Sequence, residues 1–292
     1  MNKMSKLLSA IIACMLALTA CSGITSTNSA DSHTSQQTES GKDTAGVTPD
    51  SAEESDSKTA DVTTPGTAEQ PENQPTEDAE MNQEVKVIAL TFDDGPNTTT
   101  TNEVLDKLEK YGIVASFFLI GDNITDESAK AVKRACDLGC EINNHSRTHS
   151  NMTELSAEDI QAEYQYVDEK VFEITGEHTK FFRPPYIAVH QVMFDNIDVP
   201  FIAGIGASDW DDRMTAEKRA RTILKQAKDG DIILLHDMEG NSATVEALDT
   251  IIPELQAQGY KFVTVSELFA AKGIDPDMEK VYTNVTQKNM YN

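Results

Sequence analysis

The sequence predicts an α/β fold in which a parallel sheet is wrapped by helices, either as a barrel or as an open doubly wound sheet. Three observations predict it. From Val85 onward, short β-branched or apolar runs alternate with longer amphipathic stretches. Six or seven such β–α units fit into about 190 residues. Charged and polar groups interrupt the chain where the apolar runs end, the positions at which parallel α/β folds carry their chemistry.

The first strand is expected over Val85–Phe92, ending in an acidic turn, and is followed by a helix over Thr98–Lys110 with Val104, Leu105 and Leu108 on one face. A second strand is expected over Ser116–Ile120, a helix over Asp126–Leu138 stopped by Gly139, and a short strand over Glu141–Asn144. Ser156–Thr175 reads as a helix capped by Ser156, with Asp159 in a near-match to a capping box. The alternation continues with Phe181–Phe182, Phe201–Ile205, a helix over Thr215–Lys228, Asp231–Leu235, a helix over Thr244–Gln258, and Phe262–Thr264. No dinucleotide or phosphate-loop glycine pattern follows a strand, so no nucleotide is expected.

Upstream of this region the chain has a different character. Residues 1–20 carry Lys3 and Lys6, an apolar run from Leu7 to Leu18, and then small residues, the layout of a secretory signal peptide. That run is too short to span a membrane. It ends in Leu18-Thr19-Ala20-Cys21, which resembles a bacterial lipobox and implies lipidation of Cys21. An ordinary cleaved signal with an incidental cysteine is the alternative. Residues 21–84 are Ser, Thr, Asp, Glu, Gln, Pro and Gly with scarcely a large apolar side chain, so they are expected to form a disordered acidic linker. The expected organisation is thus a signal peptide at 1–20, a linker at 21–84, a folded domain at 85–275 and a tail at 276–292.

The net charge of −25, with no Lys/Arg cluster, argues against nucleic acid as a partner. Of the four cysteines, only Cys136 and Cys140 fall in the folded region, and two free buried thiols are favoured over a disulfide. Nothing argues for an interface, so a monomer is expected.

Four strand ends carry candidate chemistry. Asp93 and Asp94 are adjacent carboxylates that repel unless a cation lies beside them; alone, Asp-Asp-Gly-Pro is also an ordinary turn. His145 and His149, four apart, would face the same way on a helical turn and point at one ion, although such a pair alone also fits a purely structural role. With Asp94 they make a two-His, one-carboxylate set with open positions, leaving Asp93 free as a base. Arg183 can pair with Asp93, and the prolines Pro184 and Pro185 stiffen a turn in which the Tyr186 N–H can serve an oxyanion; by itself the segment also reads as a Pro-rich loop with an exposed arginine. His236 closes an apolar strand, where it can protonate a leaving group, and Asp209 can raise its pKa. Trp210 is either a cleft wall or a core residue.

The order Thr-Phe-Asp-Asp-Gly-Pro, His-Ser-x-x-His, Arg-x-Pro-Tyr, Asp-Trp, Leu-Leu-His resembles the five motifs of the polysaccharide deacetylase family, carbohydrate esterase family four or the NodB homology domain. The resemblance spans about Val85 to Leu268. It implies a distorted (β/α) barrel with one divalent ion, zinc or cobalt, on Asp94, His145 and His149. It also implies that Asp93 is the base, Arg183 its partner, the Tyr186 N–H the oxyanion donor, and His236 the acid tuned by Asp209. Trp210 and Leu235 would wall the acetyl pocket, with Pro185 and Tyr186 also facing substrate. Three departures concern the groove: Ser150 stands where a proline is usual, Ile187 where a glycine is usual, and Gly206 where an acidic residue is frequent.

The expected activity is metal-dependent deacetylation of a polysaccharide, first of all N-deacetylation of N-acetylglucosamine in cell-wall peptidoglycan or a chitin-like polymer. The protein would be anchored through Cys21 to the outer face of a bacterial membrane. An O-acetyl esterase on acetylated xylan and a non-catalytic carbohydrate-binding lipoprotein are the alternatives.

Overall fold

The computed structural model describes residues 85–287. The expected signal peptide, the Cys21 anchor and the linker over 21–84 lie outside the described residues. Within them no helix is long and apolar enough to cross a membrane.

The strands are β1 (Lys86–Asp93), β2 (Ser116–Leu119), β3 (Glu141–Asn144), β4 (Phe201–Ile202), β5 (Ile205–Gly206), β6 (Ile232–His236), β7 (Tyr260–Val263) and β8 (Val281–Tyr282). The helices are α1 (Thr100–Tyr111), α2 (Ala129–Asp137), α3 (Ala157–Thr175), α4 (Gln191–Phe194), α5 (Ala216–Gln226), α6 (Ser242–Ala257) and α7 (Val265–Lys272). The strands run in the order β3-β2-β1-β6-β5, all parallel, with β7 beside the first half of β1. Phe182 bridges from Asn144 to Phe201 and so joins β3 to the parallel pair β4–β8. The Ile232 N–H donates to the Thr283 carbonyl at 3.0 Å, which closes the sheet into a distorted barrel.

Period-two alternation on β1 explains why both of its faces are apolar. Val87 and Ala89 point into the barrel with Phe118, Ile202, Ile232 and Val263. Ile88, Leu90 and Phe92 point outward into the layer beneath the helices, against Leu105, Leu108, Leu248 and Ile252. Each such buried side chain contributes about 1.5–3 kcal/mol. The inward row of β1 continues through Thr91 to Asp93, so the pleat itself delivers a carboxylate to the barrel mouth.

Helix starts follow local chemistry. The Ser156 hydroxyl accepts from the Asp159 N–H at 3.2 Å and donates to the Asp159 carboxylate at 2.9 Å. Thr215 caps α5, and Thr264 with Glu267 forms a complete capping box on α7.

The structure differs from expectation in several places. Phe201–Ile205 is two short strands separated by Ala203 and Gly204; glycine at 204 permits close packing on β6, since a Cβ there would lie 2.7–2.8 Å from the Leu234 Cβ and the Ile232 carbonyl. Thr264 is a helix cap rather than a strand end. The 276–292 tail is part of the fold as far as it is described: β8 pairs with β4, and Val281, Tyr282 and Val285 are buried. Helices α4 and α7 were not expected, and Phe181–Phe182 is a single bridge at Phe182 rather than a strand. Cys136 and Cys140 are free thiols, and burial pushes the Cys140 thiol up to about 11.

Candidate active site

Strand register assembles the mouth of the barrel. Asp93 and His236 are Cα partners across β1 and β6, so the candidate base and acid sit side by side on adjacent strands. Asp93 is 2% exposed and Arg183 is completely buried. The Arg183 guanidinium donates to Asp93 Oδ1 and, at 2.8 Å, to the Ala203 carbonyl, and its carbon lies 4.0 Å from the Phe118 ring centroid. Burial pushes the Asp93 carboxyl upward, while the charges of Arg183 and His236 oppose that shift.

His145 Nδ1 lies 2.6 Å from the Arg183 carbonyl, which can only accept, so the proton is on Nδ1 and Nε2 presents a lone pair. Burial lowers its pKa to about 3, keeping the ring neutral. Asp94 Oδ1 is buried without a hydrogen-bond partner. It stands 3.5 Å from His145 Nε2 and 3.6 Å from His149 Nε2. Those separations are too long for hydrogen bonds. They match ligand atoms spread around one ion, since bonds of about 2.0–2.2 Å in tetrahedral array place donors about 3.3–3.6 Å apart. The three donor atoms all lie within 4.8 Å of one another. An unpartnered carboxylate oxygen facing two imidazole lone pairs is the donor set of a divalent metal, and these residues fit one.

The histidines converge by a different route from the one expected. Residues 145–149 form an irregular loop, not a helical turn, with Ser146 at φ 65 and His149 at φ 58. The Ser146 hydroxyl accepts from the His149 N–H at 3.0 Å and holds the loop. The ring centroids end 4.9 Å apart.

On the opposite wall His236 Nδ1 meets Asp209 Oδ1 at 2.8 Å, and its backbone N–H donates to Asp209 Oδ2 at 2.8 Å. Burial pulls the His236 pKa down, but the Asp209 hydrogen bond and the charges of Asp209, Asp93 and Asp94 outweigh it and raise the pKa to about 9.

These groups line a cleft of about 680 Å³ together with Tyr186, Ile187, Trp210 and Leu234. Trp210 and Tyr186 are 62% and 70% exposed, so Trp210 is a rim residue and not part of the core. Leu235 does not wall the cleft as expected: it is fully buried among the outer core residues, and Leu234 lines the cleft instead. The pleat requires this, because His236 faces the cleft and only every second residue shares its face. Pro185 is buried and lies off the cleft lining; it supports the turn in which Tyr186 stands at φ 60. Ile187, where the motif usually has glycine, follows at φ 55. Among the described residues, the non-glycine residues at positive φ are Asp94, Ser146, His149, Tyr186, Ile187 and Ser208, and every one belongs to the loops around this cleft.

A parallel barrel carrying a two-His, one-Asp cluster beside an Asp–Arg pair and an Asp–His pair at the C-terminal ends of its strands defines a hydrolase-type metal site. The family model for polysaccharide deacetylase matches residues 80–197. The chain is 50% identical over 204 residues to a bifunctional xylanase/deacetylase of Pseudobutyrivibrio xylanivorans, covering 70% of this chain and 34% of that protein, so it spans about a third of the relative's length. It is 40% identical to a peptidoglycan-N-acetylglucosamine deacetylase of Bacillus cereus, covering 64% of this chain and 90% of that one. A family 4 acetyl xylan esterase from Clostridium thermocellum, solved with a cobalt ion, superposes with a TM-score of 0.68 at 40% identity, covering 69% of this chain and all of the esterase chain. The chain belongs to the polysaccharide deacetylase family.

Proposed function

We propose that the protein is a divalent-metal-dependent hydrolase that removes acetyl groups from an extracellular polysaccharide. The observation that carries this reading is the buried, unpartnered Asp94 oxygen between two imidazoles, beside an acid–base pair set by strand register. A zinc or cobalt ion on Asp94, His145 and His149 would supply Lewis acidity, polarising the acetyl carbonyl and acidifying water. Asp93, oriented by Arg183, takes the proton of the attacking water. The Tyr186 N–H donates to the oxygen that becomes an oxyanion. His236, charged at neutral pH, gives its proton to the departing sugar nitrogen or oxygen. Trp210 and Tyr186 form the cleft rim against which the sugar lies.

N-deacetylation of N-acetylglucosamine in peptidoglycan is supported by the Bacillus cereus relative. The ester of acetylated xylan is a second reading, favoured by the 50% identity to the xylanase/deacetylase and the likeness to the xylan esterase. Cys21 as a lipid anchor on the outer membrane face and 21–84 as the spacer complete the proposal, supported by Leu-Thr-Ala-Cys and the spacer's composition.

The test is acetate release from N-acetylglucosamine oligomers, peptidoglycan and acetylated xylan, with chelator and with added zinc or cobalt. Metal-dependent release is expected, and the appearance of free amine separates amide from ester cleavage. Metal-loaded protein that releases acetate from none of them would overturn the enzymatic reading in favour of carbohydrate binding.

A further inference from the structure

Arg219, on the first turns of α5, is only 2% exposed, and among the described residues no carboxylate forms an ion pair with it. An unpaired buried guanidinium is costly. Helix stability does not explain its position either, because it sits near the N-terminus of α5 and beside the first turn of α6, where the helix dipoles disfavour a cation.

Its hydrogen bonds explain it. Nε donates to the Met214 carbonyl at 2.7 Å and Nη2 to the Asp211 carbonyl at 3.4 Å, both on the loop that begins with Asp209 and Trp210. Nη1 donates to the Asn241 side-chain oxygen and, at 2.8 Å, to the Thr244 hydroxyl. The Thr244 hydroxyl in turn donates to Asp209 Oδ2 at 2.8 Å, and the Asn241 amide donates to the His236 carbonyl at 2.9 Å. Two chains therefore run from one guanidinium to the same pair: through Thr244 to the carboxylate of Asp209, and through Asn241 to the backbone of His236. Because Arg219 fills the acceptor side of the Thr244 hydroxyl, the Thr244 proton is directed at Asp209.

We propose that Arg219 is a positioning residue for the leaving-group acid, fixing the Asp209–His236 pair by tying the loop after β5 to the loop after β6. The proposal rests on the acid role assigned to His236. A lysine cannot replace it: the ammonium is a point donor on a flexible stem, whereas four acceptors here are met by one planar fork.

The experiment compares two substrates of different leaving-group demand. The phenolate of 4-nitrophenyl acetate departs without a proton, whereas the sugar nitrogen or oxygen of an acetylated oligosaccharide needs one. Rates are measured for Arg219→Lys, Thr244→Val and His236→Ala on 4-nitrophenyl acetate and on whichever of N-acetylglucosamine oligomers and acetylated xylo-oligosaccharides the wild-type protein deacetylates. In Arg219→Lys, kcat on the oligosaccharide is expected to fall about 10–100-fold, with KM and metal content unchanged and 4-nitrophenyl acetate hydrolysis retained. Thr244→Val, which breaks one link with a small isosteric change, should show a weaker loss of the same selectivity, and it carries the test if Arg219→Lys does not fold. Parallel loss on both substrates, or none on either, in both variants overturns the proposal. If His236→Ala itself loses both rates in parallel, the acid assignment fails; if His236→Ala is selective and the Arg219 and Thr244 variants are not, the positioning role alone fails.

Discussion

At the scale of single residues, the two neighbouring aspartates have different surroundings, which is why different duties are proposed for them. Asp94 ends in a carboxylate oxygen without a donor, and Asp93 ends against Arg183. Asp94→Ala or His145→Ala should lose metal and activity together. Asp93→Asn should keep metal, measured by elemental analysis, and lose turnover by at least about 10²-fold. A fully active Asp93→Asn would remove the base from the scheme. The His236 pKa of about 9 gives a second expectation. With the imidazolium as the proposed acid, acetate release should fall as pH rises through about 9, and Asp209→Asn should move that limb to lower pH. The same raised pKa stabilises the fold fully below the unfolded value of about 6.5, and that stability is lost as pH rises through the folded value. Unfolding midpoints measured from pH 6 to 10 would follow it. Much of this site is legible in the sequence, because Asp93, Asp94, Arg183 and His236 stand where apolar runs stop, and His145 and His149 follow a short strand as a close histidine pair. Arg219 is not legible, since an arginine in an amphipathic helix reads as a solvated charge and only the packed loops around it show that it is buried.

At the scale of elements, pleat parity explains most of what the sequence leaves undecided. An uninterrupted apolar run such as Ile232–Leu235 has no alternation to say which leucine faces the cleft, since both faces of a parallel strand are covered. The histidine at its end carries the missing phase: counting back by two from His236 reaches Leu234. Spacing misleads at His145 and His149, where four residues fit a helical turn but the chain instead bends through two left-handed residues. Nothing in the residue types announces that bend, because serine and histidine are not glycine. The capping box of α7, Thr264-Val265-Ser266-Glu267, goes unread in the sequence, because the apolar run before it draws Thr264 into the strand. Thr264→Ala should cost about 1 kcal/mol of stability in a denaturant titration while leaving kcat unchanged, because the cap is remote from the cleft.

At the scale of the whole molecule, the barrel is closed by its last and one of its shortest strands. The Ala203 N–H donates to the Tyr282 carbonyl at 2.8 Å, and the Ala203 carbonyl holds the Arg183 guanidinium. A chain ending at residue 275 should therefore lose stability and activity, even though it retains every expected site residue. A chain beginning at residue 85 should keep its activity on small soluble substrates. Thermal melts and 4-nitrophenyl acetate assays on the two truncations check both expectations. The short strands β4, β5 and β8 were the least legible part of the fold, since two residues carry no periodicity. The left-handed residues at the mouth have a consequence for how such a protein can change over generations. Each non-glycine residue held at positive φ costs about 1–2 kcal/mol, and the six among the described residues crowd one end of the barrel. Selection for heat tolerance alone would find its easiest gains there, by relaxing Ile187 or Ser208 to glycine. Those gains would erode the shape of the cleft, so a lineage that kept the reaction would have to gain heat tolerance at the other end.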